Sequence, residues 1–393
     1  MAEGAGEVIV AGHICLDMFP TFADGETREK VLVPGALVDV GPAVLALGGA
    51  VANTGVALHR LGVSTRLMGK VGDDLFGRAI LDLVRGLGGA LAQDMLVAPG
   101  EHSSYSVVIS PPGMDRIFLH HPGANDTFGA QDIALEQVRH ARLFHFGYPP
   151  LMRRIYQDGG VSFALLLRAL KEQGVTTSLD MALPDPASEA GHVDWEHWLT
   201  NVLPFVDIFL PSVDEIIFML SHSDSHAGKH LDGPRLSELA ARLLQFGATI
   251  VALKLGDAGL YLRTTDDGER LRHVGAVSPE DVLAWRHLEL LTPCFQVQVV
   301  GTTGAGDCTI AGFLAGFLQN LSPEEVMRSA VAVGASSVEQ ADATSGVPSW
   351  SQVQARIHAG WAQCPVTLAL PDWQEDQERG VWRRPDEQQS QSN

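Results

Sequence analysis

Basic residues are scarce in this chain: 27 Lys and Arg stand against 47 Asp and Glu, a formal net charge of −20. Such an acidic chain makes a poor general nucleic-acid binder, because phosphate contacts need clustered Lys and Arg. Long apolar runs are missing too. The best candidates, 43–52 and 309–318, carry glycines and reach about half of the roughly 18 residues of a membrane span. The opening MAEGAGEVIVAG has Glu3 and Glu7 where a secretory signal would have Lys or Arg, which predicts a cytoplasmic protein. Cysteines number four (Cys15, Cys294, Cys308, Cys364), far apart and without a C-x-x-C pair, so neither a disulfide framework nor a zinc ribbon is indicated. H-E-x-x-H and G-x-S-x-G are absent, and His120 and His121, adjacent on a predicted strand, would point to opposite faces rather than share a metal. What is present, 46% apolar and 19% charged residues over 393 positions, is a globular composition.

Short apolar runs alternate with amphipathic stretches. Strands are predicted at 7–12, 64–72, 141–147, 175–182, 206–211 and 249–256, and helices at 50–61, 161–173, 212–220 and 235–246. Another helix follows Asp73, its predicted N-cap, with Phe76, Ile80, Leu83, Val84 and Leu87 on one stripe. Continuous apolar strands between helices imply an α/β, doubly wound, mostly parallel sheet covered on both faces. Two segments break the alternation. SSYSVVIS (103–110) and RIFLHH (116–121), joined by PPGMD, form a hairpin pattern, and 18–47 is rich in Pro, Gly and Val. Parts of 18–47 and 100–122 would suit a small β flap. From 366 onward the chain turns polar and Gln-rich, which predicts a mobile tail over 366–393 after a core of 1–365.

The most informative stretch is FQVQVVGTTGAGDCTIAGFLAGFLQN (295–320): a predicted strand at 295–300, then GTTGAGD, then a helix of small apolar residues. Helix N-termini present backbone N–H groups and partial positive charge, and glycines there let a phosphate come close. Without G-K-[ST] this is not a Walker A loop, and G-x-G-x-x-G after a first strand is missing as well. The loop presents instead a carboxylate, Asp307, unsuited to binding phosphate but well placed as a base toward a hydroxyl attacking one. A simple helix cap is the plainer account of Asp307.

GTTGAGD resembles the T-x-G-A-G-D signature of ribokinase-like (PfkB) carbohydrate kinases. Four further segments follow in that family's order: LGGAVANTGVALHRLG (47–62), KVGDDLFG (70–77), HPGAND (121–126) and VALKLGDAGLYL (251–262). The resemblance spans roughly 7–350 and implies a ribokinase-like fold with a β lid, ATP and Mg2+ as phosphoryl donor and cofactor, and transfer to a primary hydroxyl of a sugar. It implies Asp307 as general base, with the N–H groups of Gly304, Ala305 and Gly306 as anion hole. Asp17, Gly48, Gly49 and Asn53 would hold the sugar, and Lys254, Gly256 and Gly259 would border the nucleotide. Glu215 would act on magnesium through bound water. A homodimer through the lid is implied by the same analogy.

Three positions depart from the family pattern. Gly301 replaces the acid at the head of the glycine loop, which leaves activation by a monovalent cation such as potassium open. Ser212 replaces the asparagine of N-x-x-E, and Cys15 stands where ribokinases carry a sugar-contacting asparagine. The segment 275–292 is longer than expected, lying either beside the adenine or out on the surface. A nucleoside kinase, which also meets a ribose primary hydroxyl, and a non-catalytic sugar-binding regulator of the same fold are the alternatives.

Overall fold

The computed structural model describes residues 8–22, 33–110, 117–220 and 231–385. Glu3 and Glu7, the 23–32 part of the expected flap, the PPGMD turn and the last residues of the expected tail (386–393) lie outside them. The described strands, in chain order, are β1 (Val8–Gly12), β2 (Cys15–Thr21), β3 (Gly41–Gly48), β4 (Thr65–Met68), β5 (Lys70–Gly72), β6 (Leu96–Ala98), β7 (Tyr105–Ile109), β8 (Ile117–His121), β9 (Leu143–Gly147), β10 (Thr176–Leu179), β11 (Ile208–Phe209), β12 (Ile250–Lys254), β13 (Leu260–Thr264), β14 (Glu289–Thr292), β15 (Gln374–Asp376) and β16 (Val381–Arg383).

Ten of them form the main sheet, in the order β15-β16-β14-β13-β12-β11-β10-β9-β1-β4. Strands β4 to β12 in that order pair in parallel, and β13, β14, β16 and β15 add antiparallel pairs at one edge. All five residues of β1 are buried, as both faces are covered. Alternation along β1 sends Val8 and Val10 into a core with Ile310, Phe313 and Val331, and Ile9 and Ala11 into a second core with Phe163, Leu167 and Trp198 on the opposite face. Helices on both faces of one sheet follow from that division. Among the described residues no helix is long and apolar enough to cross a membrane.

The flap is a four-stranded sheet, β3-β2-β7-β8, in which Asp17 of β2 stands opposite Ala46 of β3. Several local expectations change. The run 64–72 divides at Gly69: β4 joins the main sheet while β5 pairs with β6. The helix Leu75–Leu87 is capped by Asp74, which accepts from Gly77 N–H at 2.8 Å; Asp73 instead accepts from Gly100 N–H at 3.1 Å. Among the described residues the expected strand 295–300 forms an isolated bridge, Phe295 to Gln363, and no longer ladder; Val299 and Val300 are about 60% exposed, and Val300 N–H donates to Val338 O at 2.8 Å. The segment 275–292 lies in the body of the fold: it supplies β14 and the short helix Val282–Trp285, whose Trp285 ring meets Phe317 edge-on at 5.1 Å.

The tail expected from 366 is also corrected. β15 and β16 form a hairpin that extends the main sheet beyond β14, and Val381 and Trp373 are buried in the two cores. Low mean hydropathy concealed this, because an edge hairpin needs only one or two buried anchors.

In an open α/β sheet, ligands bind beyond the carboxyl ends of the strands, where strand order reverses. Here β1 lies between β4 and β9, so the chain runs outward in both directions from it. Past the ends of β1, β9, β10 and β11 follow His13, Tyr148, Asp180 and Ser212, while Lys254 ends β12. The flap grows from the end of β1 over this edge.

Candidate active site

The helix Ala305–Leu318 starts at Gly304, whose φ of 70° is left-handed and suits glycine; a Cβ there would also strike Ala343. Asp307 lies in the first turn and is 4% exposed. Its carboxylate accepts from Asn53 Nδ2 at 2.9 Å and from the Tyr148 hydroxyl, which lies 2.9 and 2.8 Å from Oδ1 and Oδ2. Thr54 Oγ1 adds a long contact at 3.5 Å. Burial pushes the Asp307 carboxyl up, while Lys254 and the donors from Asn53, Tyr148 and Thr54 pull it back. The helix has no side-chain cap bond, and the partners of the Asp307 carboxylate come from other elements.

Tyr148 was not singled out from the sequence. It follows β9, precedes Pro149 and Pro150, and has a left-handed φ of 70°, uncommon for a residue with a side chain. Such an outlier calls for a local reason, and here the hydroxyl reaches Asp307. Burial and the Asp307 charge push its phenol well above the ordinary value. Its sequence signal is an aromatic residue between a strand end and a Pro-Pro pair.

A second cluster surrounds Lys254. Its Nζ lies 2.6 Å from Asp180 Oδ1, in a pair almost wholly buried. Burial alone would lower the lysine, but the carboxylates of Asp180, Glu215 and Asp307 outweigh it and hold Lys254 charged, above its ordinary value. A Cβ built on Gly306 would be 3.7 Å from Nζ, so the lysine lies against the glycine loop. Asp180, past the end of β10, was also missed; its signal is an acid directly after a short buried strand, Thr176–Leu179. Glu215 accepts from Ser212 N–H at 2.7 Å and Ser212 Oγ accepts from Glu215 N–H at 3.3 Å, a reciprocal helix-start box. The serine at the family's asparagine position thus has a local role. Gly256 and Gly259 form the β12–β13 turn and do not line the main cavity.

That cavity, about 1280 Å³, opens beneath the flap and brings together Asp17, Gly49, Asn53, Gly304 and Asp307, as expected, with Tyr148. Gly48 borders it indirectly: a Cβ there would overlap the Asp17 carboxylate, so glycine is what lets β2 and β3 close around it. Cys15 Sγ donates to Asp17 Oδ1 at 3.3 Å, which is the role the cysteine takes here. Burial raises the Asp17 carboxyl, opposed by that contact and one from Ser106. His120 of β8 reaches Ser106 Oγ at 3.1 Å and His13 at 3.4 Å, joining the flap to the end of β1.

Two features of the glycine loop bear on its expected roles. Of the three N–H groups considered for an anion hole, that of Ala305 already points to Thr302 O, at 3.3 Å. At Gly301 a Cβ would meet the carbonyl oxygens of Ala341 and Gln340 at 2.9 and 3.0 Å, so the family's acid has no room on this backbone.

Among the described residues no group of three or more His, Cys, Asp and Glu is arranged to hold a metal ion. The donor set does fit magnesium arriving with a nucleotide, since Mg2+ keeps several waters and takes one or two carboxylates plus phosphates. Asp180 Oδ2 is buried with no hydrogen-bond partner, and Asp180, Glu215 and Asp307 together outnumber Lys254.

The family model described as pfkB family carbohydrate kinase matches residues 23–350. An uncharacterized sugar kinase of Archaeoglobus fulgidus is 31% identical over 294 residues, covering 75% of this chain and 98% of that protein. The fold is similar to the crystal structure of a fructokinase with bound ATP from Xylella fastidiosa, with a TM-score of 0.68 and 19% identity over 90% of this chain and 99% of that one. It is also similar to a putative ribokinase II of E. coli in complex with ATP and Mg2+, with a TM-score of 0.64 and 19% identity over 90% and 99% of the two chains.

Proposed function

The chain belongs to the pfkB family of carbohydrate kinases, and we propose that it transfers the γ-phosphoryl group of ATP to a primary hydroxyl of a sugar or sugar-like alcohol, with Asp307 as general base. The observation carrying this reading is the buried Asp307 carboxylate at a helix start, facing the flap cavity and held by Asn53 and Tyr148.

The chain's own residues divide the work. Asp17 accepts hydrogen bonds from sugar hydroxyls, as a carboxylate can from two vicinal ones. Gly49 leaves the backbone open to the sugar. Asn53, expected at the sugar, bonds Asp307 and so orients the base as well. Asp307 takes the proton of the primary hydroxyl as its oxygen attacks the phosphorus. Charge on the transferred group is met by the Gly304 and Gly306 N–H groups and by Lys254, which would exchange part of its Asp180 contact for phosphate oxygen; Ala305 contributes only if its bond to Thr302 opens. Magnesium, when bound with the nucleotide, supplies positive charge to the phosphate oxygens, and Asp180 and Glu215 are the carboxylates that would hold its waters. Gly256 and Gly259 border the nucleotide from the β12–β13 turn.

ADP release tests the reading, measured with ATP and Mg2+ against ketoses, aldoses, sugar acids and nucleosides. Turnover of a sugar is the expected result. Tight binding of a sugar with no turnover by any compound would establish a non-catalytic binder instead, and turnover of nucleosides alone would replace the sugar acceptor.

Tyr148→Phe removes one donor from the Asp307 carboxylate while keeping the ring. Because that donor lowers the Asp307 pKa, its loss raises it. A base must be unprotonated to act, so the acid limb of kcat/KM moves to higher pH. A hydrogen bond to a charged group is worth about 1.5–3 kcal/mol, so a loss of roughly tenfold or more is expected on that limb. A pH–rate profile unchanged from wild type would detach Tyr148 from the base.

A further inference from the structure

Outside the site, two of the four cysteines face each other. Phe295 and Gln363 form an antiparallel bridge, Cys364 N–H donates to Cys294 O at 2.7 Å, and Gln296 N–H donates to Ala362 O at 2.9 Å. That register sets Cys294 directly opposite Cys364, with both side chains on one face. Directly opposed residues of an antiparallel pair have Cα atoms about 4.5–5.5 Å apart, inside the roughly 4.4–6.8 Å range of disulfides. The two thiols differ in access. Both residues are half-buried, but Cys364 lines an open cavity of about 590 Å³ with Gln296, Val381 and Trp382, whereas Cys294 is outside that lining and donates to Gly256 O at 3.5 Å. Burial, with Cys364 next, pushes the Cys294 thiol up to about 11, so it is not the group that reacts first. Cys15 and Cys308 are both buried, bonded to Asp17 and to the Ala343 carbonyl.

We propose that Cys364 and Cys294 form a thiol-modification site, oxidised by a small-molecule disulfide such as oxidised glutathione to an intrachain disulfide that draws Cys294 Sγ away from the Gly256 carbonyl. In the first exchange the Cys364 thiolate attacks one glutathione sulfur; that S–S bond breaks, one glutathione thiol leaves, and a mixed disulfide forms on Cys364. In the second, the Cys294 thiolate attacks the Cys364 sulfur and the second glutathione thiol leaves. Two electrons pass to the glutathione disulfide, and the two thiol protons end on the two glutathione molecules. The link closes a loop of about 70 residues containing GTTGAGD and Asp307, and it changes the β12–β13 turn at Gly256.

The test treats the native full chain with oxidised glutathione, alkylates the remaining thiols and maps the peptides without reduction. Expected are two thiols lost of four, a Cys294–Cys364 peptide lacking two hydrogens, and full reversal by dithiothreitol. Cys294→Ser should stop at a glutathione adduct on Cys364, and Cys364→Ser should leave Cys294 free. Links to Cys15 or Cys308, links between chains, or a wild-type chain that stops at the adduct would overturn the disulfide. The effect on the turn rests on the reading of Gly256 as nucleotide-bordering. It is measured as a reversible severalfold rise in KM for ATP in the oxidised wild type and no rise in Cys364→Ser; an unchanged KM with the disulfide formed overturns the coupling. The peptide map needs no activity, so failure of the kinase reading is told apart from failure of the modification site.

Discussion

Asp307→Asn is expected to cut kcat by about 10²–10⁴-fold, the usual contribution of a positioned general base, with KM for both substrates little changed. The substitution keeps the shape of the side chain. One oxygen remains to accept from Asn53 or Tyr148, and the new amide N–H can donate to the Tyr148 oxygen in turn, so the network around the helix start survives. Folding, followed by circular dichroism and a thermal midpoint near wild type, separates loss of the base from loss of structure. Near-normal turnover on a true substrate would sink the assignment, because a carboxamide cannot take the proton.

Lys254→Met carries the other large effect, and it falls on two quantities together. Among the described residues the lysine is the cation that faces Asp180, Glu215 and Asp307, and removing it takes the compensating charge from a buried carboxylate cluster. Breaking a buried pair from one side typically costs about 3–5 kcal/mol, which denaturant unfolding would register. Turnover should fall by about 10²–10³-fold as well, the scale for losing one preorganised partner of transition-state charge. The double variant Lys254→Met with Asp180→Asn separates these effects. Its stability should recover toward wild type while its turnover stays well below that of Asp180→Asn alone, the variant that loses the same carboxylate but keeps the lysine. If turnover recovers with stability, Lys254 is a structural cation and has no part in the phosphoryl transfer.

The second variant also addresses the −20 net charge set against a polyanionic substrate. Positive potential is built locally, from one buried lysine and the start of the Ala305–Leu318 helix, where the overall count does not register it.

What is encoded locally is legible along the chain. Alternating buried strands and amphipathic helices, the glycine-rich helix start with its aspartate, and the irregular segments of the flap each leave a pattern within about ten to twenty residues. Asp307, Asp17, Gly49 and Asn53 were legible for that reason, and they do share one cavity. The residues that were missed have no such pattern. Tyr148 matters because a strand far away in sequence delivers its hydroxyl to Asp307, 159 positions on, and Asp180 because it meets Lys254 across 74. The polar segment after 366 was misread for the same reason: composition measures average exposure, and two buried anchors, Trp373 and Val381, suffice to seat a hairpin against β14.

Local periodicity and backbone chemistry thus carried the fold class and the position of the general-base candidate. The partners of each charged group were another matter. The free energy of a buried charge depends on distances of a few ångströms, and residues scattered along a chain acquire those distances only when the strand ends converge at the point where sheet order reverses.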